Sequence, residues 1–251
     1  MDYGLAGKVA IVTGGTRGIG RAIVSELAAQ GCHVYACARS DPEEPKEGVS
    51  YAALDIRDPD AVQAYVGSVA ADAGGVDILV NNAGGSPASD AATASPRFAD
   101  AIAKLNFLAP YYLARAVHPH MVARGAGAVV NIASVSGIRP SPSTAIYGAS
   151  KAALLSLTKS LAQEWGGDAI RVNAIIVGLA ETETSAETYG DEAARARIAA
   201  SLPLGRMARG DDVARAVLYL VSKASNYVSG AHLNVDGGGE RPLFLEFVKG
   251  D

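Results

Sequence analysis

The sequence predicts a doubly wound α/β fold: a parallel seven-stranded sheet with helices on both faces, in a single domain spanning residues 1–251. Three observations carry this. Apolar runs alternate with segments of helical period from one end of the chain to the other. Several of those runs are unbroken Val/Ile/Ala stretches, the pattern of parallel strands covered on both faces. A glycine cluster stands at the first strand-to-helix turn, where such sheets bind nucleotides.

Val9–Thr13 is the first predicted strand, and the helix Ile19–Gln30 follows the glycine turn and stops at Gly31. His33–Ala38 and Ser50–Leu54 are the next strands, separated by the acidic loop Asp41–Glu47. Asp58-Pro59 opens a helix to Asp72, with proline at the first helical position, where its missing N–H is harmless. Ile78–Asn81 is the fourth strand, and Gly84–Pro96, rich in Ser, Pro and Ala, is a loop. One long helix is expected from about Phe98 to Arg124. Then come the strand Ala128–Ser134, the helix Tyr147–Trp165 and the strand Ile170–Ile176. Thr182–Arg209 is the least regular segment, with a helix expected in GDEAARARIAA. The helix Asp211–Ser222 and the strand His232–Val235 complete the pattern.

Composition excludes several classes. A formal charge of −4 with no basic run argues against nucleic acid as a partner. The opening MDYGLAGKVAIVTGG has neither a signal-peptide layout nor an apolar span of membrane length, so a cytoplasmic protein without membrane attachment is expected. Cys32 and Cys37 lie an odd number of residues apart and should face opposite sides of the second strand as free thiols. The four histidines have no metal-ligand spacing, and His118-Pro119-His120 reads as a helix-surface pair, so no catalytic metal is expected.

Thr13-Gly14-Gly15-Thr16-Arg17-Gly18-Ile19-Gly20 joins the first strand to the first helix. Gly14 can turn with positive φ, Gly18 clears space for a pyrophosphate, and Gly20 lets helix and strand pack closely. The helix N-terminus then faces the phosphates with unpaired N–H groups. Cofactor choice usually rests at the end of the second strand, where a carboxylate would bond the ribose hydroxyls. Here the strand ends Cys37-Ala38-Arg39-Ser40 without an acid. Arg39 can fork onto a 2′-phosphate, and Arg17 adds a second positive charge, so NADP(H) is expected over NAD(H).

Further along, Ser134 ends an apolar strand, Tyr147 stands thirteen residues later, and Lys151 follows one helical turn on. A free phenol has a pKa of about 10 and is a poor base near neutrality. A lysine on the same helix face should lower it, by up to ~3 units for charges ~4 Å apart at an effective dielectric of ~20. Tyr147 would then be general acid in carbonyl reduction and general base in alcohol oxidation, with Ser134 Oγ holding the substrate oxygen. The bare Tyr-x-x-x-Lys pattern is not enough, because Tyr219 and Lys223 match it too, with Arg206 where the serine should be.

These motifs make the chain similar, over nearly its full length, to the short-chain dehydrogenase/reductase family, with resemblance to 3-oxoacyl-thioester reductases among its members. T-G-x-x-x-G-x-G matches at Thr13 to Gly20, and Asn81-Asn82-Ala83-Gly84 matches the family's NNAG. The resemblance implies a Rossmann-type fold and a catalytic set of Asn106, Ser134, Tyr147 and Lys151. It implies cofactor contacts from Gly14, Thr16, Arg17, Gly18, Ile19 and Gly20, from Arg39, from Asp55-Ile56 at the adenine, and from Asn82, Ala83 and Gly84. It gives Lys151 a bond to the nicotinamide ribose, with Tyr147 beside it, and Asn106 a helix-bending, water-holding role. Val177, Ala180 and Thr182 fall on the nicotinamide stretch, Thr182 at the carboxamide. Val177 stands where the family has proline, which restores an N–H donor and frees φ.

The leading expectation is an NADP(H)-dependent oxidoreductase acting on a small-molecule carbonyl or secondary alcohol. The alternatives are a 3-oxoacyl-[carrier protein] reductase and a non-enzymatic NADP-binding sensor or scaffold. For the carrier-protein reading, Arg115, Arg124 and Arg139 are the basic candidates, while Gly166-Gly167-Asp168 carries no positive charge. The resemblance also implies a homotetramer. Beyond Asp236-Gly237-Gly238 the chain continues into a tail holding Leu243, Phe244, Leu245, Phe247 and Val248, which should pack on its own domain or across a subunit interface.

Overall fold

The computed structural model describes residues 3–242 and 244–248. Seven strands form a parallel sheet: β1 Val9–Thr13, β2 His33–Ala38, β3 Val49–Ala53, β4 Ile78–Asn81, β5 Gly127–Ser134, β6 Ile170–Val177 and β7 His232–Val235. Their order is β3-β2-β1-β4-β5-β6-β7, every pair parallel. The chain reverses its direction of travel across the sheet between β1 and β4, which opens a crevice at the strand C-termini.

The period of two along β1 explains the layering. Ala10 and Val12 turn to one face, against Ile23, Val24 and Leu27 of helix α1 (Gly18–Ala29) and Val213 and Val217 of helix α8 (Gly210–Val221). Val9 and Ile11 turn to the other, against Val62 and Val66 of α2 (Pro59–Ala73) and Leu113 and Val117 of α4 (Ala109–Arg124). Cys32 and Cys37 fall in these two opposite layers as free, buried thiols. The α2 start is as read: Asp58 caps the N–H groups of Asp60 and Ala61 ahead of Pro59, and Gly74 ends the helix at φ 74°.

The long helix expected over Phe98–Arg124 is instead three pieces. α3 spans Pro96–Ala103, a π-helical turn Lys104–Leu108 follows, and α4 begins at Ala109. Two local causes act together. Pro110 has no N–H to close the regular turn, and Asn106 Nδ2 takes the Ile102 carbonyl at 2.9 Å. The remaining helices are α5 (Ala145–Glu164), α6 (Ser185–Tyr189), α7 (Glu192–Ser201) and α9 (Phe244–Val248). α7 is the helix expected in GDEAARARIAA; α6 had no periodic signal.

His118 lies against Trp165, ring centroids 4.7 Å apart, and its Nε2 meets Asp168 at 3.0 Å. Among the described residues no helix is long and apolar enough to cross a membrane.

Candidate functional site

The glycine turn sits at the crevice between β1 and β4. A Cβ at Gly20 would stand 2.0 Å from the Gly14 carbonyl oxygen, so only glycine lets α1 approach the strand end. Asn82 Nδ2 donates to the carbonyls of Thr13 (2.9 Å) and Gly14 (3.2 Å), and Thr13 Oγ1 accepts from the N–H groups of Asn82 and Ala83. The two motifs are thereby bolted together. Asn81 supports the sheet, donating to Asn131 and to the Pro110 carbonyl.

Gly18 N–H points out of the turn and donates to the Glu183 carboxylate at 3.3 Å, and Arg21 grips the same oxygen at 2.7 Å. N–H groups of Glu183 itself and Gly18, with the nearby Arg21 and Arg17 charges, hold that carboxyl below its usual range despite some burial. An anion therefore already fits the seat that a dinucleotide pyrophosphate needs, and the turn passes this test for a phosphate-bearing cofactor. A cavity of about 750 Å³ extends from it, lined by Gly18, Arg21, Lys46, Thr182 and Glu183 among others. Thr182 packs toward Gly18, its N–H on Ser185 Oγ at 2.6 Å.

At the other end of the crevice Arg39 is exposed just past β2. Asp55 is clamped by Arg57, with contacts of 2.6–3.1 Å, and this pairing pulls its pKa down to about 2. Arg57 and Arg39 both act on Asp55 at this end.

Ser134 ends β5 and lies in register with Val177 of β6. Its hydroxyl accepts from Ser136 N–H at 3.2 Å and lies near enough to the Tyr147 phenol to pull that phenol's pKa down. Lys151 is buried, one turn along α5, with Nζ 5.7 Å from the Tyr147 ring centroid. The structure also brings Asn106 here. Its Oδ1 accepts from Gly85 N–H at 2.8 Å and its Nδ2 donates to the Gly85 carbonyl. A Cβ on Gly84 would fall 2.7 Å from Asn106 Oδ1 and 3.1 Å from Lys151 Nζ, so these groups crowd one point.

One electrostatic expectation needs correction. Lys151 does not lower the phenol: burial pushes the Tyr147 phenol up, against the Ser134 hydrogen bond, and pushes the Lys151 ammonium down to about 8. The ammonium lies over the ring and donates to the Ile132 carbonyl at 2.7 Å, while both charged forms lose water.

Tyr219, on the exposed side of α8, belongs to no such cluster. Val177 closes β6 in the β5–β6–β7 pairing, and Ala180 makes an isolated bridge with Ala208. Sequence reasoning missed Glu183, Arg57 and Tyr189, whose phenol burial pushes up and whose charge acts on Tyr147. The only available signal for Glu183 and Tyr189 was their place in the ligand-facing segment after β6.

A family model described as enoyl-(acyl carrier protein) reductase matches residues 14–240. A 7alpha-hydroxysteroid dehydrogenase of Clostridium sardiniense is 37% identical over 93% of this chain and 94% of its own length. A 3-oxoacyl-[acyl-carrier-protein] reductase of Chlamydia trachomatis is 34% identical, covering 93% of this chain and 98% of its own. The ligand-free structure of Thermoplasma acidophilum aldohexose dehydrogenase superposes with a TM-score of 0.90 at 30% identity, over 95% of this chain and 96% of that one.

Proposed function

The chain belongs to the short-chain dehydrogenase/reductase family of nicotinamide-dependent oxidoreductases, and we propose that it is an NADP(H)-dependent reductase of a small-molecule carbonyl, or the dehydrogenase of the corresponding alcohol. The observation that carries this is the meeting of Ser134, Tyr147, Lys151 and Asn106 at the crevice above the glycine turn. A sensor or scaffold has no use for a phenol held by a serine and backed by a buried lysine.

When bound, the nicotinamide supplies the hydride. The glycine turn and the α1 N-terminus hold the pyrophosphate, and Lys151 the ribose. Arg39, with Arg57 beside it on Asp55, favours the 2′-phosphate. Ser134 Oγ donates to the substrate oxygen and aligns the carbonyl. Tyr147 delivers the proton to that oxygen in reduction and removes it in oxidation. A phenol raised by burial keeps its proton at neutral pH, which suits the reductive direction. Asn106 holds the Gly84–Gly85 backbone beside Lys151.

The relatives' names cover steroid alcohols, sugar acids and carrier-bound acyl thioesters, so they do not choose a substrate. The test is consumption of NADPH, and of NADH beside it, with a panel of ketones and aldehydes followed at the nicotinamide absorbance. Turnover with NADPH supports the reading; cofactor binding without turnover of any carbonyl or alcohol would favour the sensor. The same reading has the chain assemble as a homotetramer, tested by mass in solution.

A further inference from the structure

We propose that Glu240 is a specificity-determining residue: by occupying Arg139 it keeps the substrate mouth electrically neutral and so selects uncharged carbonyl compounds over anionic ones. The proposal rests on the carbonyl-reductase reading and names the substrate class for that site.

Arg139 stands five residues beyond Ser134 and eight before Tyr147. Its own N–H donates to the Val135 carbonyl at 3.2 Å, so its backbone is tied to the turn at the end of β5. Glu240 comes from a position 101 residues away, on the tail beyond β7. Gly237, Gly238 and Gly239 have φ of 66°, 95° and 75°, a left-handed run that side-chain-bearing residues rarely adopt. Gly239 N–H on the Asp236 carbonyl closes this reversal, which carries Glu240 back to the Arg139 guanidinium, 2.5 Å away. Both side chains stay about two-fifths exposed, at 41% and 39%, as expected at an opening rather than in a core.

The loop that carries Arg139 packs beside the reacting groups: a Cβ on Gly148, the residue after Tyr147, would stand 2.7 Å from the Ser136 carbonyl oxygen and 3.0 Å from Ser141 Cβ. The charges of Glu240 and Arg139 act on Tyr189 in opposite senses, and Tyr189 in turn acts on Tyr147. Among the described residues the Arg139 side chain hydrogen-bonds to Glu240 alone, through Nη2. Its other side-chain N–H donors stay unused, and a guanidinium offers five. Arg139 would thus attract a substrate carboxylate, and Glu240 both satisfies that charge and repels the newcomer.

The test compares two aldehydes differing by one charge, benzaldehyde and 4-carboxybenzaldehyde, with cofactor saturating. Wild type should favour benzaldehyde in kcat/KM. Glu240→Gln should raise the ratio of kcat/KM for the anionic aldehyde over the neutral one by about tenfold, chiefly through KM, equivalent to about 1.4 kcal/mol. Arg139→Gln should lower that ratio, because Glu240 is left unpaired, and the double variant should return it toward wild type. A purely structural pair would move both substrates together, and a ratio within about twofold of wild type in both single variants overturns the proposal. If wild type reduces neither aldehyde with either nucleotide, the carbonyl-reductase reading fails separately. Benzoate binding followed by NMR then decides the charge argument: about tenfold tighter binding to Glu240→Gln supports it, and equal affinity rejects it.

Discussion

The Tyr147 hydroxyl is the sole proton donor assigned to the reaction. Tyr147→Phe should keep the fold and nucleotide binding while losing about 10²–10⁴-fold in kcat. Tyr219→Phe, the same motif without a serine partner, should run near the wild-type rate in the same assay. Arg39 should act on the cofactor's phosphate alone. Arg39→Ala is expected to weaken NADPH by about 1.5–3 kcal/mol and NADH hardly at all, measured by calorimetric titration. Lys151 makes a claim about stability. Its ordinary pKa of 10.5 falls to about 8 in the fold, so the unfolded chain binds the proton more tightly. Stability should therefore rise as pH increases from about 8 to 10.5, and below about 8 the full cost of the buried ammonium applies. Without added nucleotide, Lys151→Met should be more stable than wild type at pH 7 by up to about 3 kcal/mol. Denaturant unfolding across that range should find the gap closing as pH rises.

Among the elements, the junction of β1 and α1 is the least tolerant. A methyl at Gly20 would meet the Gly14 carbonyl at 2.0 Å and Asn82 Nδ2 at 2.5 Å, and the backbone cannot swing away. Gly20→Ala should cost at least about 3 kcal/mol in chemical denaturation, the upper range for overpacking, and abolish nucleotide binding. What was legible in the sequence follows the same division. β1, with its buried run, and α2, with cap, proline and terminal glycine, carry their signals in neighbouring residues and were readable within a residue or so. The π turn was legible only as the bend that the family resemblance gives Asn106, because the Asn106 bond to the Ile102 carbonyl leaves no mark on the helical period. That Ser134, Tyr147 and Lys151 come together was readable by spacing, but the shift of the phenol and ammonium was not: it follows from burial, which no spacing records. Glu183 and Glu240 reach partners 162 and 101 residues away, distances at which sequence periodicity is silent.

At the scale of the whole molecule the tail is the open face. Phe244, Phe247 and Val248 on α9 are 62%, 80% and 70% exposed, so these side chains do not pack into the molecule's own core. Leu243 lies outside the described residues. An apolar helix face left in water favours the subunit-interface role of the two considered. Truncation after Arg241, which keeps Glu240, should reduce the assembly's mass in light scattering or lower its melting temperature. Unchanged mass and melting temperature would remove the tail from the interface.

The contact of Glu183 with Gly18 and Arg21 also bears on the order of events in turnover. It moors the segment that carries Thr182 and α6 to the very N–H that a pyrophosphate needs. On the proposed reading, nucleotide entry would exchange one anion for another and release that mooring in the same step. A carbonyl compound arriving first finds Tyr189's segment still tied to the protein's own carboxylate. Steady-state kinetics should accordingly be compulsory-ordered, the nucleotide binding first and leaving last, with oxidised and reduced nucleotide competing with each other and the alcohol product competing with neither.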